Sequence, residues 1–520
     1  MISSKPSFSH QKKNRIAIQP PATSQATSHY PLTAYLDLIA YGLIVGLMAG
    51  YACWMSDFAE IHTPLSLLPF PVFIGEWVLG GLFILAVIKF FYQRSRIHWR
   101  VGLFGLFLLF ILLKALYGYK AHGALSFRHA AFFYYYCYGV FAYYFYNPHW
   151  LKSPRDKQIL TALLFVIACF LVRSYYLFPL LMVIAALLAR QSRIGQITLG
   201  LFVIFLFPFH TMLHTSRSAL IAIAGSMLFL AFSFVGIMVK IAKRWSILII
   251  SLLILSLGLV FVKMDDSIKQ RVSSIGHLHE LVYIYQLLLV ESNKRLEHYE
   301  PTYYPVRLYS SNDTSDISPD QNKKYYTKSY QDLLTQTNGR DPSEIKLTDL
   351  PVPINHLIER GNADHQFAYG FSTMIWRLFL WTDMLDDLKD LVLQNPMKSI
   401  IGFDFGKVLR SKRQEVLIMA FPERTGWQEP HNSILHVIYR SGFTGFLFIC
   451  LFCWLFIRTL KLALKRRLIA GLFLLGACFY WILFSLTLVM FELPYYAVFF
   501  WSLAGITVAY IRGAVNGEYA

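Results

Sequence analysis

Long apolar runs separated by short basic segments fill most of this chain, and each run is close to the roughly 20 residues a helix needs to cross a bilayer. Read in that way, the sequence predicts about twelve spans, at 33–54, 67–91, 101–117, 128–147, 158–172, 174–190, 196–213, 218–239, 245–263, 431–457, 468–488 and 491–511. Arg173 divides one long apolar stretch into the fifth and sixth, which also read as a re-entrant hairpin. Two polar stretches interrupt the pattern. Residues 1–30 set Lys5, Lys12, Lys13 and Arg15 among Ser, Gln, Thr and Pro and lack the apolar run of a secretory signal, which predicts a disordered cytoplasmic tail. The second interruption, 264–430, is a large loop between the ninth and tenth spans. The chain thus divides into a tail (1–30), a bundle of about nine spans (31–263), the loop (264–430) and the last three spans (431–520).

Within the loop the pattern changes again. From about 300 to 350 it is rich in Ser, Asn, Asp, Thr and Pro, which predicts poorly ordered surface. Over 366–395, Phe371, Met374, Ile375, Leu378, Trp381, Met384, Leu385, Leu388, Leu391 and Leu393 recur largely at helical spacing, with Asp383, Asp386, Asp387 and Lys389 on the other side. That is an amphipathic helix resting on the bundle or the bilayer surface. Asn395-Pro396 ends it, and Gly402 and Gly406 mark a turn.

Composition agrees with a polytopic membrane protein: of 520 residues, 56% are hydrophobic and only 15% charged. A net charge of +18 would suit a nucleic-acid partner, but the cations cluster between apolar runs, where positive-inside topology accounts for them. With the N-terminus inside, the inner short segments hold roughly 22 Lys and Arg and the outer ones about 5. Both termini are therefore expected in the cytoplasm and the large loop in the periplasm, with membrane lipids and no nucleic acid as surroundings. All six cysteines lie in apolar runs, so Cys450-x-x-Cys453 reads as packing rather than a redox or metal motif.

The chemistry is concentrated where the loop meets the tenth span, at Pro430-His431-Asn432-Ser433. A proline suits a first helical turn, whose unpaired N–H groups attract phosphate and disfavour imidazolium. His431 is thereby biased toward the neutral form that accepts a proton. Arg217 stands at an outer helix start in a region poor in cations. Its guanidinium fork suits a diphosphate, though an arginine there also reads as snorkelling to lipid headgroups. Arg377, on the amphipathic helix, carries the same two readings. Lys120 and Arg128, outside the fourth span, are further candidates for an anionic site. His436 reads as structural. His210 and His214 have metal-compatible spacing but no third ligand in sight. The aromatic run Phe132–Tyr146 reads as lipid-facing or interfacial residues, or as a groove for a polyprenyl tail. Gly442 and Gly445 read as close helix packing about 16 Å below His431.

His431-Asn432, nine residues, then Gly442-x-x-Gly445, set after a large outer loop and before the last spans, resembles the bacterial O-antigen ligase and O-antigen polymerase superfamily, and the ligase most closely. Arg217 within Thr215-Ser216-Arg217-Ser218-Ala219-Leu220, then Arg377, Trp381, Asn395-Pro396 and the Gly402–Gly406 turn, match that family in order over about the last 310 residues. The segment 270–365 is longer than its pattern. The resemblance implies an all-α polytopic fold similar to membrane glycosyltransferases that use lipid-linked donors. It implies transfer of a glycan from undecaprenyl diphosphate to a hydroxyl of lipid A-core, at the periplasmic face of the inner membrane, with inversion and without metal or cofactor. His431 would be the base and Arg217 and Arg377 the diphosphate grip, with Asn432, Lys120 and Arg128 as accessory candidates. Polymerase, with a second lipid-linked glycan as acceptor, and protein O-oligosaccharyltransferase, with a Ser or Thr hydroxyl, are the neighbouring readings. A transporter of polyprenyl-linked glycan is the reading from another class.

Overall fold

A computed structural model describes residues 30–64, 71–93, 99–147, 160–161, 163–164, 174–189, 217–238, 278–297, 366–417, 430–488 and 490–517. Helix dominates throughout. In chain order the helices are α1 (Tyr30–Ala59), α2 (Ile74–Tyr92), α3 (Trp99–His122), α4 (Leu125–Tyr134), α5 (Tyr136–Tyr144), α6 (Ser174–Ala189), α7 (Arg217–Met238), α8 (Leu278–Leu296), α9 (Gln366–Gln394), α10 (Pro396–Ile401), α11 (Lys412–Leu417), α12 (Ser433–Arg466), α13 (Ile469–Ser485) and α14 (Pro494–Asn516). A two-residue antiparallel pairing, His62–Thr63 with Val72–Phe73, closes the α1–α2 turn.

Five helices, α1, α2, α3, α12 and α14, are long and apolar enough to cross a membrane, and α6, α7 and α13 carry shorter apolar cores. The chain is an all-α membrane protein. Nine of the expected spans coincide with described helices, α4 and α5 together forming one; those at 158–172, 196–213 and 245–263, and the polar stretch 300–350, lie wholly or largely outside the described residues. The bundle is built around α13 and α14. Apolar on nearly every side, α13 packs on α6, α7, α12 and α14, while α14 packs on α1, α5 and α12. Trp481 and Phe484 of α13 and Phe500 of α14 are fully buried at this centre.

The aromatic run Phe132–Tyr146 is not the lipid-facing belt its composition suggests. Phe132, Phe133, Tyr135, Tyr138 and Phe145 are buried, because α4 and α5 lie between α2, α3 and α14. Their hydroxyls find partners inside: Tyr134 and Tyr135 donate to Glu76 Oε1 at 2.9 and 2.7 Å, and Tyr138 donates to the Gly75 carbonyl at 2.6 Å. Buried phenols need such acceptors.

The expected amphipathic helix is present as α9, but its acidic side is not all wet. Asp383 is buried, accepts from Ser411 Oγ at 2.5 Å and pairs with Arg413, while Asp387 accepts from Tyr439 Oη at 3.0 Å. The reason is the company α9 keeps: α8 and α11 pack on that flank and α12 on another. Leu385, Val392, Leu393 and Met397 face outward instead, a surface suited to the bilayer interface.

Candidate functional site

The site is assembled where α9, the entry to α12 and the α13–α14 connection meet. Asn432 caps α12, its side chain accepting from the Leu435 N–H at 3.0 Å. Pro430 and His431 therefore precede the helix, and the proline is not in the first turn as its position in the sequence suggests. His431 adopts φ +53°, the left-handed region that non-glycine residues enter at a cost of roughly 1–2 kcal/mol. The surroundings hold it there. Trp381 Nε1 of α9 donates to the Pro430 carbonyl at 2.6 Å on one side of His431, and the Asn432 cap fixes the other. Ser433 Oγ donates to the Leu488 carbonyl and accepts from the Met490 N–H, at 2.9 and 2.8 Å, tying the α13–α14 connection to the same corner.

Arg377 stands one helical turn before Trp381 on α9, and its Nη1 donates to the Thr487 carbonyl of that connection at 3.4 Å. It lies close enough to His431 to act on its protonation. Burial first, and the Arg377 charge second, lower the His431 pKa to about 4. The imidazole is therefore neutral near pH 7. Arg377 and His431, separated by a long stretch of sequence, are brought together.

Behind this corner, α12 breaks. Gly442 takes φ +57° inside the helix, and the turn following α10 packs backbone against backbone into the gap. A Cβ on Gly442 would sit 1.9 Å from the Ser399 carbonyl oxygen, and one on Gly402 would sit 2.4 Å from the Gly442 nitrogen. Gly442 thus admits the short helix α10, and Gly402 the turn that follows it. Carbonyls near the break gain partners from outside α12: Tyr439 O accepts from the Phe403 N–H at 3.0 Å and Arg440 O from Lys114 Nζ at 2.5 Å. Lys114 also donates to the Ile401 carbonyl. Phe403 stacks on Tyr439 at 4.3 Å, and Phe405 is buried on Phe133.

The same turn is held by a buried chain of polar groups. Arg440, 1% exposed, donates to the carbonyls of Asp404 and Lys407 at 2.8 and 2.5 Å, and its Nε donates to His436 Nε2 at 3.0 Å. An acceptor at Nε2 requires the proton of a neutral His436 on Nδ1, which lies 2.6 Å from Glu492 Oε1. His129 packs edge-on to His436 at 5.0 Å, and its Nδ1 accepts from the Gly406 N–H at 2.9 Å. Ligand atoms of His129, His436 and Glu492 lie within 4.8 Å of one another, close enough to suggest a metal centre. The geometry fits a hydrogen-bonded chain better. An ion bound at about 2.0–2.2 Å by tetrahedral ligands keeps them more than roughly 3 Å apart, wider than the His436–Glu492 contact, and the Arg440 guanidinium would face it.

The remaining candidate cations lie on α3, α4 and α7. Arg217 opens α7, which packs on α13 and α12, and its side chain lies outside the described residues. Asn432 serves as the helix cap. Lys120 is exposed near the end of α3, and Arg128 is half-buried on α4, facing the His436 side of the bundle. His210 and His214 lie outside the described residues. Sequence reasoning missed Lys114, Arg440 and Glu492, and it read His436 as structural without naming its partners. The signal was available: each is an ionisable residue inside an apolar run, which is costly unless it is partnered. Comparison with known proteins adds no constraint, because no family model, no curated protein and no solved structure matches the chain.

Proposed function

We propose that the protein is a glycosyltransferase of the O-antigen ligase type, working at the periplasmic face of the inner membrane. It moves a glycan from undecaprenyl diphosphate to a hydroxyl of lipid A-core. The observation that carries the reading is the pairing of a neutral, half-buried His431 with the Arg377 guanidinium at the mouth of a membrane helix. In the proposed reaction the acceptor oxygen attacks the anomeric carbon from the side opposite the diphosphate. The sugar–phosphate C–O bond breaks with inversion, the acceptor proton passes to His431, and the departing diphosphate leaves its charge on Arg377 and Arg217. The pair also couples donor binding to base strength. A bound diphosphate offsets the Arg377 charge that depresses His431, so its proton affinity rises when the donor is in place.

Translocation of the lipid-linked glycan is the second reading, and the buried charges of Lys114, Arg440 and Glu492 within spans favour it. Lys114 and Arg440 are occupied in holding the 402–407 turn, which supports the enzyme instead.

Lipopolysaccharide from a strain lacking the protein tests the acceptor. Ligase predicts core bare of all polymer. A single repeat on core would mean polymerase, and an unchanged pattern would move the proposal to a protein hydroxyl acceptor.

A further inference from the structure

The bundle has a second concave feature at its other end. Arg458 lies 16 residues beyond the Gly442 break, about 24 Å along the unbroken part of α12 at 1.5 Å per residue, toward the end of that helix away from His431. There α5, α12, α13 and α14 enclose an apolar groove of about 230 Å³, lined by Tyr136, Phe452, Phe456, Leu475 and Trp501. It runs into a second hollow of about 420 Å³ that shares Leu455, Thr459, Val508 and Arg512 with it and is bordered by Arg458. Glycines set the depth of the floor. A Cβ on Gly505 would stand 2.1 Å from the Gly139 carbonyl oxygen, so α14 and α5 meet backbone to backbone beneath the groove.

The two ends of this groove differ in chemistry. Its inner wall is aromatic and aliphatic, whereas the outer hollow carries two guanidinium groups and no carboxylate. Arg512 donates to Tyr143 Oη at 2.7 Å and lies 5.7 Å from that ring's centre. Arg458 lies 5.2 Å above the Trp454 ring. Among the described residues neither arginine has an acidic partner, whereas Lys89, another cation of the α2 and α5 ends, is paired with Asp37 at 2.5 Å. Aromatic rings orient the two forks without neutralising them. From Trp501 to Arg512 the groove follows α14 for 11 residues, about 16 Å, which is half of the roughly 30 Å hydrocarbon thickness.

We propose that this groove is a binding site for an anionic glycerophospholipid of the leaflet on that side. One acyl chain lies along α14 and the headgroup phosphate is held between Arg458 and Arg512. The length of one leaflet fits an acyl chain, whereas a polyprenyl chain would overrun it. A phosphodiester supplies the anionic acceptor oxygens that two oriented guanidiniums lack. The site stands apart from His431 and holds whichever reaction occurs there.

Native mass spectrometry of the full-length protein in detergent tests it, with phosphatidylglycerol and phosphatidylcholine of identical chains. The wild type is expected to retain phosphatidylglycerol at least about tenfold better than phosphatidylcholine. Arg458→Gln with Arg512→Gln should bring retention down to the phosphatidylcholine level. Both side chains are exposed, so the double variant should elute as the wild type does. Val508→Trp, which fills the groove, should lower retention of both lipids. Absence of a headgroup preference in the wild type, retention unchanged in the double variant, or displacement of phosphatidylglycerol by equimolar undecaprenyl phosphate would overturn the proposal.

Discussion

His431→Ala is expected to lower glycan transfer by roughly 10²- to 10⁴-fold, the range lost when a general base is removed, while the protein still inserts and still binds undecaprenyl diphosphate. In the proposed mechanism binding and turnover separate, because the arginines hold the donor whereas the histidine acts on the acceptor. Alanine leaves the backbone at φ +53° as it is and removes only a half-buried imidazole, so the variant's abundance should stay close to that of the wild type. The pH dependence follows from the same residue. Its pKa is lowered to about 4, so kcat/KM, which reports the free enzyme, should hold level through pH 6 and fall only as pH drops through about 4. The fall in kcat should begin at higher pH, since bound diphosphate raises the proton affinity of His431. Transfer measured from pH 4 to 8 checks both limbs, and a His431→Ala enzyme that keeps most of its activity removes the base from the mechanism.

Among the described glycines, Gly442→Ala should be the most damaging added methyl. The new Cβ would lie 1.9 Å from the Ser399 carbonyl oxygen, on a backbone at φ +57° where alanine is itself disfavoured. Overpacking and the left-handed conformation together cost on the order of 3 kcal/mol. To relieve the clash, either α12 straightens or α10 moves out and takes the 402–407 turn with it. In both cases Arg440 loses the carbonyls of Asp404 and Lys407 and is left buried with unmet donors. Gly46→Ala is the control. Nothing lies within 4 Å of its Cβ, and a helical glycine replaced by alanine should be neutral or gain up to about 1 kcal/mol. Thermal unfolding in one detergent should place Gly442→Ala several degrees below the wild type and Gly46→Ala level with it or above.

The contrast between these glycines shows what was legible in the sequence. The five long apolar helices were, because a bilayer demands about 20 apolar residues whatever lies next to them, and α9 was, because its periodicity is local. The 366–395 expectation and Gln366–Gln394 agree to within a residue at each end. The environment of each side chain was not. Asp383 falls on the polar side of its helix and is buried because α8 and α11 cover that side, which no period within α9 reveals. Lys114 falls inside the third apolar run, and its burial on two carbonyls from distant parts of the chain has no signal within that run. Gly442 reads as a surface for a neighbouring helix, which is the short α10, but the break in α12 at that glycine goes with the approach of α10 and Gly402 and has no signal within the run. The candidate site was half legible. His431 was marked by its place at a loop-to-helix junction, whereas the ties of Trp381 to Pro430 and of His436 to Glu492 join distant parts of the chain.

The central claim is that a bond is broken here rather than a lipid carried across. Purified full-length protein in nanodiscs, supplied with undecaprenyl-diphosphate-linked glycan and lipid A-core, tests that claim with the two products quantified together. The account predicts that free undecaprenyl diphosphate appears mole for mole with glycan on the acceptor, only when acceptor is present, and equally well with chelator added. Glycan that stays on its carrier when both substrates are present, together with carrier that crosses a sealed liposome intact, would contradict it.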